Sequence, residues 1–247
     1  MKQPSQHRPG NIVRLLEKGL ELLKNSESSL DRDQQGLILD IGCGVGRTTW
    51  ELANRTSRWT LGLDLHLPML KMAHQVLRDK RVRYELRRTG LIYELKDFPF
   101  EQEGASHIDF WACDAMCLPF PDHSVDQCVA LNVLDCVSAP SQVLREVANV
   151  TKDGSQSLFS TPYDWTAQVT PQSEWIGGTS HRSHLEGDAR STVLRFIEQY
   201  RAKFGPPTLE LLADCAVFPW LVRLHERSFL HYDCHLFTLM THAAKAE

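Results

Sequence analysis

Asp40-Ile-Gly-Cys-Gly-Val-Gly-Arg47 decides how this chain folds. It follows the apolar run Gly36-Leu-Ile-Leu-Asp-Ile41 and leads into Arg47-Thr-Thr-Trp-Glu-Leu-Ala53, so it is the turn from a strand buried on both faces into a helix. Glycines at 42 and 44 allow a tight turn and let a ligand approach the backbone. A dinucleotide fingerprint would need glycine at position 47, where this chain has Arg. No lysine follows as in a phosphate-cradling loop. The pattern is GxGxG, with an acid two residues ahead of the first glycine.

Outward from this turn, strands and helices alternate. Residues 59–64 read as a second strand and residues 68–77 as a helix. Further strands are expected at 107–113, 126–132 and 156–161, with a helix over 140–150. The alternation predicts an α/β fold: a Rossmann-like, doubly wound, mostly parallel seven-stranded sheet with an antiparallel edge strand. Apolar positions at helical spacing place another helix over 12–23, and residues 25–35 read as a polar linker. Around Thr89-Gly90 apolar and polar residues alternate, which predicts an inserted β-hairpin within about 81–106. Residues 189–204 read as one helix stopped by Gly205-Pro-Pro207. The β-rich runs at 219–229 and 232–242 predict an antiparallel pair closing the sheet edge. The expected division is an amino-terminal helix and linker over 1–35 and a single domain over 36–247.

Composition narrows the function classes. The chain has 247 residues and a net charge of −4 with Lys and Arg scattered, so no basic field favours nucleic acid or an anionic membrane. The start, Met1-Lys-Gln-Pro-Ser-Gln-His7, has no apolar signal core, and no run approaches the ~20 apolar residues of a membrane span. Seven cysteines without CxxC spacing read as reduced core thiols, and a cytoplasmic setting is expected. His181, His184, His231 and His235 are metal-capable, but such histidines usually serve the surface or packing, so no metal site is expected.

Three acids end three successive strands: Asp40, Asp64 and Asp114. Ligands of parallel sheets bind at the carboxyl ends of the strands. A carboxylate at Asp64 suits two ribose hydroxyls, one at Asp114 suits an adenine amino group, and one at Asp40 suits an ammonium. S-adenosylmethionine carries all three and has no pyrophosphate. With Leu39-Asp-Ile-Gly-Cys-Gly-Val-Gly46, Gly62-Leu-Asp64, Asp114-Ala115, Leu118-Pro-Phe-Pro-Asp-His-Ser-Val-Asp126 and Ala130-Leu-Asn-Val-Leu134, residues 36–161 resemble the class I S-adenosylmethionine-dependent methyltransferases. Where that family usually has a Lys-Pro-Gly-Gly-like turn, this chain has Thr151-Lys-Asp-Gly154. The resemblance implies cofactor contacts from Asp40, Gly42, Cys43, Gly44, Gly46, Asp64, Leu65, Asp114, Ala115, Asn132 and Val133.

After the last parallel strand comes Thr161-Pro-Tyr-Asp-Trp-Thr-Ala-Gln-Val-Thr-Pro-Gln-Ser-Glu-Trp-Ile-Gly-Gly178, unusually aromatic for a connection. In such a fold the loop (about 161–186) lies on the substrate side, where Tyr163, Trp165 and Trp175 suit a cation-binding wall. Together with Ala73-His-Gln75, Arg83-Tyr-Glu85 and Asn132-Val-Leu-Asp135, the loop is similar to the mercaptohistidine N-methyltransferase domain at the carboxyl end of ovothiol synthases. That resemblance implies a small histidine-derived acceptor. Those synthases fuse the domain to an iron-dependent sulfoxide synthase module that this chain lacks, so a separate sulfoxide synthase would act upstream. Another small nucleophile, protein histidine, or a non-catalytic cofactor-binding role are the alternatives. Asp135 is expected to orient the acceptor N–H and take up charge, with Tyr163 positioning the acceptor and Asn132 lining the donor or acceptor.

Overall fold

The computed structural model describes residues 10–24, 36–100 and 105–243; the expected linker at 25–35 lies outside them. Helix α1 (Asn11–Lys24) precedes β1 (Leu37–Ile41), α2 (Arg47–Thr56), β2 (Trp59–Asp64) and α3 (Leu67–Asp79). The hairpin β3 (Arg81–Thr89) and β4 (Ile92–Pro99) follows, then β5 (Ile108–Ala112), β6 (Gln127–Leu131), α4 (Pro140–Val150) and β7 (Gln156–Thr161). The chain continues through α5 (Ala189–Glu198), α6 (Tyr200–Phe204), β8 (Thr208–His225) and β9 (Ser228–His242).

Seven strands form one sheet in the order β5-β2-β1-β6-β7-β9-β8, and β3–β4 form a separate antiparallel pair. The first five run parallel, β9 runs against β7, and β8 closes the edge antiparallel to β9. Strands β6 and β7 are buried along their whole length, as continuous apolar runs covered on both faces require. Leu144 and Val147 of α4 and Val193 and Ile197 of α5 pack on one face. Leu15 and Leu16 of α1 and Leu52 of α2 pack on the other. From β1 the chain winds outward through β2 to β5, then returns to β6 on the other side of β1. That reversal opens a crevice at the strand ends between β1 and β6. Among the described residues no helix is long and apolar enough to cross a membrane.

Two expectations are corrected here. The helix expected over 189–204 breaks at Gln199, whose φ of −90° and ψ of −1° end α5. The break turns Tyr200 inward to 1% exposure, where its ring meets Phe196 and Phe204 at 6.1 and 5.0 Å. The edge strand also begins at Thr208, eleven residues ahead of the expected start at Pro219, and the turn lies between His225 and Ser228. Pro219 sits inside β8 because this is the edge strand, where a missing N–H costs no ladder bond. Register shifts at 211/213, 215/218 and 223/225 bend β8 as it rises past the end of β7.

Candidate active site

The glycine turn is held by backbone bonds to the neighbouring strand: the Gly42 and Cys43 N–H groups donate to the Leu63 carbonyl at 2.7 and 3.0 Å. Gly42 has φ +72°, and a Cβ there would lie 2.5 Å from Val133 Cγ2. Gly44 has φ +56°, and a Cβ there would make only ordinary contact with Met69 Sδ at 3.6 Å. A ligand can therefore approach the backbone at Gly44. Gly46 does something else. It caps α2 with φ +80°, and a Cβ there would strike the Phe110 ring at 2.5 Å, so it serves helix–strand packing.

A cleft of about 590 Å³ opens at the strand ends, lined by Gly42, Gly44, Asp64, Leu65, Asp114, Ala115, Asn132 and Val133 among others. Asp64 Oδ2 accepts the Gly44 N–H at 2.8 Å and Oδ1 accepts the His66 N–H at 2.7 Å. Each oxygen retains a lone pair for a ligand hydroxyl. Asp114 Oδ1 accepts the Met116 N–H at 2.9 Å. Asn132 adopts φ +56°, and its Oδ1 accepts from Ser160 Oγ at 2.7 Å. Its buried side-chain amide N–H lies against the Cys234 thiol on β9. The cleft thus offers accessible backbone at Gly44 and the Asp64 and Asp114 carboxylates, which fits the ribose and adenine parts of S-adenosylmethionine.

Asp40, Cys43 and Gly46 do not line this cleft. Asp40 is 1% exposed beneath the turn, where Oδ2 accepts both Thr48 Oγ1 and Thr49 Oγ1 at 2.6 Å. Burial, only partly offset by these hydroxyls, pushes its carboxyl up to about 6. Burial and the nearby Asp40 and Asp64 raise the Cys43 thiol, which stays protonated.

The aromatic loop is fastened on two sides. The Asp164 N–H donates to Asp135 Oδ2 at 2.9 Å and Thr170 Oγ1 to the Val137 carbonyl at 2.6 Å, tying the loop to the exit of β6. Tyr232 Oη donates to Asp164 Oδ2 at 3.1 Å, tying it to β9. Trp165 and Trp175 stack at 6.3 Å, and Trp175 Nε1 donates to the Thr170 carbonyl at 2.8 Å. Asp135, Tyr163, Trp165 and Trp175 do not line the cleft described above; Cys136, Val137 and Ser138, which follow Asp135, do. Asp135 is 5% exposed, its Oδ1 lacks a partner among the described residues, and burial holds its carboxyl above the usual range. Trp165 Nε1 is likewise buried and unpartnered.

Tyr163 adopts φ +58°, a left-handed conformation that costs a bulky residue of order 1–3 kcal/mol. A polar chain holds it there. Tyr163 Oη lies 2.6 Å from His235 Nδ1, His235 Nε2 lies 3.2 Å from Asp214 Oδ2, and Arg190 Nε donates to that same oxygen at 2.8 Å. Asp214 must accept from Nε2–H, so Nδ1 of the neutral ring accepts the tyrosine hydroxyl. Burial, only partly offset by Asp214, holds His235 below the usual histidine value. Sequence reading missed His235, Asp214 and Arg190 as a unit. The one signal was a histidine inside the apolar strand Tyr232-Asp-Cys-His-Leu-Phe237, for which a surface or packing role was expected. Among the described residues no group of three His, Cys, Asp or Glu could hold a metal ion.

A methyltransferase domain family matches residues 39–159. The chain is 30% identical over 148 residues to methyltransferase GfsG of Streptomyces halstedii, a match covering 60% of this chain but only 45% of that protein. A S-adenosylmethionine-dependent methyltransferase from Methanosarcina mazei superposes with a TM-score of 0.53 at 18% identity, covering 86% of this chain and 95% of that one. Geranyl diphosphate C-methyltransferase of Streptomyces coelicolor A3(2), solved with S-adenosyl-L-homocysteine, gives 0.55 at 13% identity, covering 91% and 77%. At these identities the two structures speak to the fold. The chain thus has the α/β Rossmann-like methyltransferase fold, residues 39–159 match a methyltransferase domain, and the glycine turn and strand-end cleft suit S-adenosylmethionine.

Proposed function

We propose that the protein methylates an imidazole nitrogen of a small histidine-derived acceptor of the 4-mercaptohistidine type. The observation that carries this reading is the polar, aromatic wall beyond the cleft: the unpartnered Asp135 Oδ1 and Trp165 Nε1 beside the Tyr163–His235–Asp214 chain. An acceptor seated there meets a hydrogen-bond acceptor, a donor and aromatic faces together. A purely apolar acceptor would leave both buried groups unpaired. The similarity of the loop to the mercaptohistidine N-methyltransferase domain supports the same choice. A separate sulfoxide synthase would then act upstream of the thiol.

S-adenosylmethionine supplies an electrophilic methyl whose departure leaves a neutral thioether. Gly44, Asp64, Asp114 and Asn132 would hold it, and Asp40 would act on its ammonium through charge from beneath the turn. Methyl transfer is an in-line displacement, so the chain's contribution is orientation and exclusion of water. A neutral imidazole nitrogen attacks without prior deprotonation, but the ring must then shed its other N–H proton. Asp135 Oδ1 orients that N–H and takes the proton, which its raised carboxyl pKa favours. Tyr163 positions the ring, and its hydroxyl is fixed in turn by neutral His235.

Turnover of labelled S-adenosylmethionine against mercaptohistidine, histidine and a histidine-rich peptide tests the reading. Label in mercaptohistidine, lowered about 100-fold by Asp135→Asn, is expected. Label only in the peptide, or cofactor binding with no labelled product from any acceptor, would overturn it.

A further inference from the structure

A second cavity lies away from the cofactor cleft. It measures about 740 Å³ and sits between the root of the β3–β4 hairpin and helices α2 and α3. That volume is in the range of small-molecule sites, ~300–1,000 Å³. Trp50, Tyr84, Phe100 and Met72 form its apolar wall. Phe100 meets the Trp50 ring edge-on at 4.9 Å.

Two observations make this cavity a site. Trp50 is 1% exposed, yet its indole N–H has no hydrogen-bond partner among the described residues. A buried donor on a cavity wall is a cost that a ligand acceptor would remove. The second is charge. Arg47 is paired with Glu51 at 2.5 Å, Arg81 with Asp97 at 2.8 Å and Asp79 with Arg78 at 2.6 Å. Arg83 stands opposite Asp97 in the hairpin register but makes no ion pair among the described residues. The lining therefore holds one uncompensated guanidinium, one orphan N–H donor and a set of aromatic faces. We infer that this cavity binds a small amphipathic carboxylate, its apolar body against Trp50, Tyr84 and Phe100 and its carboxylate on Arg83 and the Trp50 N–H. The carboxylate satisfies both groups, and Arg83 offers it a forked donor.

The test uses phenylacetate as probe and follows the Trp50 indole N–H resonance of the full chain by NMR. A saturable shift is expected, absent with phenylacetamide and undiminished by saturating S-adenosyl-L-homocysteine. Arg83→Gln, an exposed position, should weaken binding about tenfold while leaving the fold intact, from the loss of one charge-assisted contact. Trp50→Phe, which keeps an aromatic ring but removes the donor, should also weaken binding, read from backbone amides of β3. No shift at millimolar probe, equal affinity in Arg83→Gln, or displacement by S-adenosyl-L-homocysteine would each overturn the assignment. Displacement would put the probe in the cofactor cleft, so it tells this site apart from the first.

Discussion

The cofactor cleft and the proposed acceptor side are built by different means. The cleft comes from short turns following β1, β2, β5 and β6, with Gly44 bonded to Asp64 across only 20 residues. The proposed acceptor side is gathered from several elements: Tyr163 reaches His235 across 72 residues, and Asp214 of β8 joins Arg190 of α5 to His235 of β9. The first region stores its geometry in glycine conformations, the second in a hydrogen-bond chain that holds Tyr163 strained. Damage to the first should therefore read out as lost folding or cofactor affinity. Damage to the second should read out as lost turnover and altered pH dependence.

The strongest way to sharpen this contrast is within the glycine turn itself. Gly42→Ala places a methyl against Val133 at positive φ and should cost about 3 kcal/mol in denaturant unfolding, from clash and backbone strain together. Gly44→Ala, whose methyl would make only ordinary contact with Met69, should cost about 1 kcal/mol of stability and express its effect on cofactor affinity instead. Next in size, Asp64→Asn should weaken cofactor binding roughly thirtyfold by calorimetry, the loss of charged hydrogen bonds worth about 2 kcal/mol.

On the acceptor side, His235→Gln should lower kcat about tenfold with cofactor affinity unchanged. His235 is faced by Tyr163, Asp214, Arg190 and Asp188, and it must be neutral to accept from Tyr163. Wild-type turnover should fall as pH drops through its lowered pKa, below the usual histidine range. The variant should lose that limb and keep the one set by Asp135.

The smallest effect is expected at Asp40. Its carboxyl sits at about 6 in the folded chain against 3.8 unfolded, so the folded state binds the extra proton. Its contribution to stability is fully present below pH 3.8 and is lost as pH rises through about 6. Asp40→Asn should flatten stability across that window and raise it at pH 7–8 by about 1 kcal/mol in the cofactor-free protein, after the loss of one threonine hydrogen bond.

The same contrast explains what the sequence reveals. The parallel strands, the hairpin and the glycine turn are legible because each follows from local periodicity or from glycine at a position needing positive φ. Gly46 follows the same pattern, but its contact is the Phe110 ring, a packing role that spacing cannot distinguish from ligand approach. The break at Gln199 and the early start of β8 are not legible, because tertiary packing of Tyr200 and the edge position of Pro219 override local signals. The chain Tyr163–His235–Asp214–Arg190 is invisible for a related reason: its members are brought together only by the pairing of β7, β9 and β8 and the packing of α5 on β8.

The most direct test of the two-region account is to measure cofactor affinity and turnover side by side for Asp64→Asn and His235→Gln. Calorimetry should show weakened S-adenosylmethionine binding in the first and wild-type binding in the second. Turnover of mercaptohistidine at saturating cofactor should survive in the first and fall in the second. Equal losses of cofactor affinity in both variants would contradict the separation and make the aromatic loop part of the cofactor site.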